Sequence, residues 1–268
     1  MLRNASTYSV FKNDMSISLL SANRQDFFSK YKLWTEQLSN IPEFKNATVS
    51  ISDNIAAPLE FRPDTILIGS FIWSDILPET SENKEVIEIE RNLLVKNMPA
   101  MLHIDHFGMP ALSTYTSPVS IPWVTIKKSI SSDVKNNILI TSGKSGQDVE
   151  RFAELAIELA SHFPERVFID NAIAELVGSE KLQRFSFNDS DFGTLGAIVC
   201  RPGIGIITEA VTYNIPIVTF NDFNNKELDF NAQMIQDTSI GIVLSKKNTT
   251  SEIVDSILSL LNTSDIKP

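Results

Sequence analysis

Between Asn137 and Asn262 the chain repeats one motif: a short apolar run rich in β-branched residues, a polar turn, then a helical pattern. The runs are NILIT (137–141), RVFID (166–170), LQRFSF (182–187), AIVC (197–200), PIVTF (216–220) and GIVLS (241–245). Between them stand DVERFAELAIELASHF, AIAELV, NDSDF, GIITEAVTY and ELDFNAQMIQ, and SEIVDSILSLLN closes the series. The first of these helices sets Phe152, Leu155, Ala156 and Leu159 on one face. Strands that short and that continuously apolar are buried on both faces, and parallel neighbours need a crossover, which the intervening helices supply. The pattern therefore predicts a doubly wound α/β domain with a parallel sheet, whose ligand crevice lies outside the carboxyl ends of its strands.

The first half follows the same logic less completely. TVSIS (48–52), TILIGS (65–70) and AMLHI (100–104) read as buried strands, with the acidic helix ENKEVIEIERNLLV between the last two. A helix is expected from Arg24 to Leu38, its Phe27, Tyr31, Trp34 and Leu38 stripe being core packing. The opening residues show no glycine-rich strand–turn–helix start. The Pro-rich, polar passage Pro110–Asp133 reads as a linker, which divides the chain near Lys127 into domains 1–126 and 127–268.

Charge and composition exclude several functions. A formal charge of −10 argues against a nucleic-acid surface, yet it leaves room for a small anion held by local backbone dipoles. No segment is apolar for long enough to span a bilayer, and the first residues lack a signal-peptide core, so a cytoplasmic protein is expected. The single Cys200 gives neither a disulfide framework nor a thiolate zinc site. His103, His106 and His162 are too few and too scattered for a metal centre, and Asp189–Ser190–Asp191 reads as a helix start capped by acids. No metal and no cofactor is expected.

Two turns carry the chemistry. SGKSG after the first strand of the second domain lacks the earlier glycine of a Walker A loop, since Ile138 occupies that place. It remains a turn from Gly143 to Gly146 in which backbone amides approach an anion and Lys144 neutralises it, or simply a tight turn with an exposed lysine. RPGIGIITE (201–209) is the more informative turn. Gly203 and Gly205 remove the Cβ atoms that hold a ligand away, and the first amides of the following helix point outward unpaired. Glu209 reads either as a first-turn acid, worth about 0.3–1 kcal/mol against the helix dipole, or as a carboxylate accepting from two neighbouring hydroxyls. Measured against a dinucleotide fingerprint, Thr208 stands where a third small residue belongs, although Asp222 is placed like a ribose-binding acid. The next strand–helix turn supplies Glu227, Asp229 and Asn231, side-chain types suited to sugar hydroxyls.

Taken in order, Arg201-Pro202-Gly203, Thr208-Glu209, Asn214-Ile215-Pro216 and Glu227-Leu228-Asp229-Phe230-Asn231-Ala232 resemble the nucleotide-sugar-binding half of GT-B glycosyltransferases. The likeness is to the MurG-like and UDP-glucuronosyltransferase-like groups, and it runs from Leu182 to Ala232. The resemblance implies two Rossmann-like domains, the N-terminal one on the acceptor side and incomplete or shortened here. It implies that the amides around Gly203, Gly205, Ile206 and Ile207, with Thr208 and Arg201, bind the diphosphate of the donor. Glu209 would hold the ribose, Glu227 and the motif containing Asn231 the donor sugar, and the loop Arg184–Asn188, with Phe185 and Phe187, the base. Gly143, Lys144 and Ser145 match the glycine loop of that family. Leu228 departs from the usual glutamine, which implies one missing sugar contact, and Asn214 replaces a glycine at a position that tolerates left-handed backbone angles.

The function so implied is inverting transfer of a sugar from a nucleotide diphosphate sugar, UDP-linked, to an acceptor hydroxyl. The nucleotide sugar is a co-substrate, and the acceptor is unidentified. His106, His103 and Asp53 are the candidates for the base, with Asp75 beside them. The rival readings are a nucleotide-sugar hydrolase or epimerase on the same scaffold, a donor-binding subunit whose N-terminal domain is completed by a partner chain, and a dinucleotide oxidoreductase.

Overall fold

The computed structural model describes residues 35–262 except 37, 82, 124, 126–135, 144–147 and 179–181. Most of the helix expected from Arg24, the division at Lys127, and both Lys144 and Ser145 lie outside the described residues. The described chain forms two compact units. One contains residues up to His103 together with Pro110–Ser120, and the other Ile104–Met109 together with residues from Ile121 onward.

The first unit is built on four strands, β1 (Ile51–Asp53), β2 (Ile66–Ile68), β3 (Ala100–Ile104) and β4 (Ser117–Ile121), lying side by side in that order. β1, β2 and β3 run parallel. Ahead of them comes the short helix α1 (Pro42–Asn46). Helix α2 (Trp73–Ile76) and helix α3 (Lys84–Asn97) carry the chain from β2 to β3, as the acidic helical pattern predicts. α3 buries Val86, Ile87 and Leu94, and it stops at Met98, whose left-handed angles (φ 43°) close its last turn. Leu59, Leu67, Met101 and Leu112 complete the core beneath it. The passage read as a linker holds helix α4 (Leu112–Tyr115) and strand β4, because its Pro110 and Pro118 sit at a turn and on an edge strand, where a missing N–H is tolerated.

The second unit fulfils the alternating pattern element by element. Its strands are β5 (Asn137–Thr141), β6 (Val167–Ile169), β7 (Leu182–Arg184), β8 (Leu195–Cys200), β9 (Ile217–Phe220) and β10 (Gly241–Leu244). They pair in the order β10-β9-β8-β5-β6-β7, and every pair is parallel. The connecting helices are α5 (Val149–His162), α6 (Asn171–Ala174), α7 (Asp189–Phe192), α8 (Ile204–Tyr213), α9 (Lys226–Asp237) and α10 (Thr250–Asn262).

Strand periodicity sorts the core into two layers. Ile138, Ile140, Val167, Ile169, Ala197, Val199, Val218 and Phe220 face α5 and α10, packing on Phe152, Leu155, Leu159, Ile253 and Ile257. The intervening Leu139, Phe168, Ile198, Cys200 and Ile217 point the other way, onto Ile207, Ala210 and Tyr213 of α8 and Ile235 of α9. Both sheet faces are therefore covered, which is why the runs show no polar alternation. At the start of β10 the pairing with β9 is so close that any Cβ on Gly241 would overlap the Ile217 carbonyl. The sheet is wound outward in both directions from β5, so the strand order reverses between β5 and β8. That reversal is where a doubly wound sheet opens its crevice.

Candidate functional site

β5 and β8 end side by side, with Thr141 opposite Cys200 and the amide of Arg201 donating to the Thr141 carbonyl at 3.3 Å. Beyond β5 the chain turns at Gly143, whose φ of +73° is a left-handed angle that favours glycine, and a Cβ there would meet nothing within 4 Å. Beyond β8 it passes Arg201 and Pro202 to Gly203, the N-cap of α8. No side chain caps this helix.

Of the amides from Gly203 to Ile207, two are already used. Gly203 donates to the Arg201 carbonyl at 2.8 Å and Ile207 to the Gly203 carbonyl at 3.2 Å, and the Ile207 side chain is buried in the core. Those of Ile204, Gly205 and Ile206 are the first-turn donors that a helix leaves without an internal partner. Space around Gly203 and Gly205 is open, no atom lying within 4 Å of a Cβ built on either. The Thr208 hydroxyl donates to the Ile204 carbonyl at 2.8 Å, so its proton is turned into the helix. The Glu209 side chain, half-buried one turn in, has no hydrogen bond or ion pair among the described residues.

Charge converges on this corner. Arg201 is half-buried, and its Nε is enclosed with no acceptor among the described residues. Burial pulls its pKa below the usual guanidinium value, opposed by the carboxylates of Glu227 and Asp148. Glu227 lies in the first turn of α9, where burial pushes its carboxyl up to about 7 despite the nearby guanidinium of Arg201. Its helix is capped by Asn225, whose Oδ1 accepts from the Glu227 and Leu228 amides at 3.0 and 3.2 Å. The Glu227 and Leu228 amides of α9 are thus occupied, whereas those of Ile204, Gly205 and Ile206 in α8 have no partner among the described residues. Asn231 is fully buried and donates from Nδ2 to the Pro202 carbonyl at 2.9 Å, leaving its Oδ1 enclosed and unpartnered among the described residues. Leu228 is 2% exposed and belongs to the core layer under α5 and α10.

The remaining candidates fall into separate groups. Phe187 is half exposed with a left-handed φ of 54°, its ring standing edge-on to Phe185 at 4.9 Å. Phe185 itself is buried against Phe168 and Phe192, so of the two only Phe187 offers a ring face to solvent. Asp189 accepts from the Tyr213 hydroxyl at 2.5 Å and Asp191 from the Ser186 hydroxyl, while Asn188 caps α7. The described residues contain no group of three His, Cys, Asp or Glu side chains able to hold a metal. His103 on β3, Asp53 at the end of β1 and Asp75 in α2 belong to the first unit. His106 lies in the stretch assigned to the second unit, mostly exposed, with Nε2 3.5 Å from Asp105, and has no hydrogen bond or ion pair to Arg201 or Glu227.

Sequence reasoning missed three features of the corner. Asp170, read only as the end of the run RVFID, is a buried acceptor for Thr141, Ser142 and Ile173. The Asn225 cap was visible in principle as Asn followed two residues later by an acid. Lys246, 2.8 Å from Asp148 and 4.3 Å from the Phe223 ring centroid, is joined to its partner across 98 positions, which no local pattern reveals.

An α/β chain with two Rossmann-like units, the second doubly wound around an open helix start, has the fold of the GT-B glycosyltransferases, and solved structures bear this out. The glycotransferase of kitacinnamycin superposes with a TM-score of 0.63 at 13% identity, over 97% of this chain and 78% of that one. LpCGTa, solved in complex with UDP, gives a TM-score of 0.62 at 12% identity, over 95% and 76%. VinC, a glycosyltransferase solved in complex with dTDP, gives 0.57 at 12%, over 93% and 75%. No family model matches the chain, and no curated protein sequence matches it. No helix among the described residues is long and apolar enough to cross a membrane.

Proposed function

We propose that this protein is a glycosyltransferase that binds a nucleotide diphosphate sugar, UDP-linked, and passes the sugar to an acceptor hydroxyl with inversion. The observation that carries this reading is the start of α8 at the strand-order reversal, without a side-chain cap: three first-turn amides with no partner among the described residues, open space at Gly203 and Gly205, and Arg201 beside them. In transfer, the acceptor oxygen attacks the anomeric carbon as its proton leaves to a base, and the bond from that carbon to the diphosphate breaks. Charge then grows on the leaving diphosphate, where fixed amide dipoles and a partly desolvated guanidinium stabilise it without a metal. Glu209 is assigned to the ribose hydroxyls, Glu227 to a hydroxyl of the sugar, and Phe187 to the base. The acceptor-side base is assigned to the group His106, His103 and Asp53. A cytoplasmic setting accords with the lone, buried Cys200.

Thermal denaturation with UDP, UDP-glucose, dTDP, dTDP-glucose and NAD tests the reading. A ligand at about 100 times its Kd adds about 2.7 kcal/mol of stability. The expected result is a shift with the UDP pair that Glu209→Ala abolishes, and none with NAD. A shift with NAD alone overturns it in favour of an oxidoreductase. Products formed from UDP-sugar with no acceptor present would identify a hydrolase or epimerase instead. A second reading, a donor-binding subunit completed by another chain, is favoured by Val49, two residues ahead of β1, and Ile51 on it, which are 58% and 60% exposed at the edge of the four-stranded sheet among the described residues. Copurification of a second polypeptide would support it.

A further inference from the structure

The carboxylate of Asp170 sits at the end of β6, 7% exposed, beside the strand that leads into the crevice. Its Oδ2 accepts from the Thr141 hydroxyl at 2.8 Å, the Ser142 amide at 2.7 Å and the Ser142 hydroxyl at 3.1 Å, while Oδ1 accepts from the Ile173 amide at 2.9 Å. Thr141 and Ser142 are themselves buried. Four donors on one enclosed carboxylate are far more than a helix cap requires, since the Ile173 amide alone serves α6. The other three donors belong to the last residue of β5 and the residue after it.

Thr141 is the node of this arrangement. While its hydroxyl donates to Asp170, the same oxygen accepts the Gly143 amide at 3.2 Å, and its carbonyl accepts the Arg201 amide at 3.3 Å. One residue thus joins both lips of the strand-order reversal, Gly143 on one side and Arg201 on the other, and its rotamer is set by Asp170. A hydroxyl that gives its proton to a carboxylate is oriented more firmly than one free to rotate, because a charge-assisted bond is roughly twice as strong as a neutral one.

We infer that Asp170 is a positioning residue for the anion-binding corner, acting through Thr141 to set where Gly143 and Arg201 stand relative to the start of α8. This rests on the proposed donor site, and it adds a residue just past the end of another strand, β6, that acts on the corner through Thr141. Placement of this kind governs how well preorganised dipoles meet a ligand.

The test is UDP binding by calorimetry to the full chain and to Thr141→Val, Thr141→Ser and Asp170→Asn, with urea denaturation of each. Thr141→Val keeps shape and branching but removes the hydroxyl. The expected result is UDP affinity reduced at least fivefold in Thr141→Val and Asp170→Asn and restored to within twofold in Thr141→Ser. Restoration by serine is a response that loss of packing does not produce, because Ser lacks the methyl group. Wild-type affinity in Thr141→Val overturns the inference while leaving the donor site standing. Loss of affinity in Thr141→Ser equal to that in Thr141→Val also overturns it, by assigning the effect to packing. A wild-type protein that binds no nucleoside diphosphate overturns the donor site itself, and the inference with it. If Asp170→Asn does not fold, the threonine pair still decides.

Discussion

Asn231, in the middle of α9, donates from Nδ2 to the carbonyl of Pro202 at 2.9 Å, so one helix fixes the turn from which the preceding helix, α8, starts. The bond is fully buried and spans 29 positions. It explains how the loop before α8 holds its shape with neither a capping side chain nor a rigid core around its glycines.

Asn231→Ala removes that bond and leaves the Pro202 carbonyl enclosed without a donor. Stranding a buried polar group costs about 1–3 kcal/mol. The urea midpoint should fall accordingly at unchanged m-value, and UDP affinity should fall with it. An unchanged midpoint would show that the carbonyl finds another partner.

At Gly205 stability and binding should move in opposite directions. The residue lies in the first turn of α8, exposed, with space for a Cβ. Gly205→Ala gains helix propensity of up to about 1 kcal/mol, yet it places a methyl group where, on the proposed reading, a phosphate has to approach the first-turn amides. Higher thermal stability with weakened UDP binding is expected. Tighter or equal binding would mean the anion does not sit there.

Glu227 gives stability a pH dependence of known sign. Its folded pKa of about 7 lies above the ordinary glutamate value of 4.5, so between those values the unfolded chain releases a proton that the folded one keeps. Stability contributed by this group is therefore full below about 4.5, falls as pH rises toward 7, and stays low above it. Glu227→Gln should remove this fall, so the difference in urea midpoint between variant and wild type should widen from pH 5 to pH 8. A constant difference would place the carboxyl in water.

Leu228 tests a departure from the family pattern. Restoring glutamine at this position puts an amide into the layer formed by Phe220, Phe223 and Ile253. Burying such a group without partners costs about 1–3 kcal/mol by mutational data, so Leu228→Gln should lower the melting temperature without improving UDP-sugar binding. Improved binding would show that the side chain reaches the donor.

Much of the second unit was legible because each of its strands carries its own signal. NILIT, AIVC and PIVTF are continuous apolar runs only because both sheet faces are covered, and the helices between them announce parallel pairing. The turn RPGIG was legible as an open helix start because glycine there has few other uses. What escaped were contacts between distant residues: Asp170 with Thr141, Asn231 with Pro202, Lys246 with Asp148. Side-chain bonds across 29 or 98 positions leave no periodicity in sequence. The passage Pro110–Asp133 looked like a linker because edge strand β4 is short, polar and mostly exposed, so its composition matches a loop. The place of Leu228 in the core layer escaped because a motif fixes position in sequence and says nothing about which way one side chain of a helix turns.

Phe107 is 1% exposed in the core layer of the second unit and stands edge-on to Trp123 at 5.3 Å, although the residues flanking its short stretch, His103 and Pro110, belong to the first unit. The two bodies are therefore interleaved along the gene. A fragment opening at Ile121 encodes every strand of the six-stranded sheet and still omits an aromatic ring from beneath it, a deficit of the order of 3–5 kcal/mol if the gap does not collapse. Recombination that exchanges one half of such a protein for another has to carry Ile104–Met109 along as a passenger, or accept a recipient with a hole in its floor.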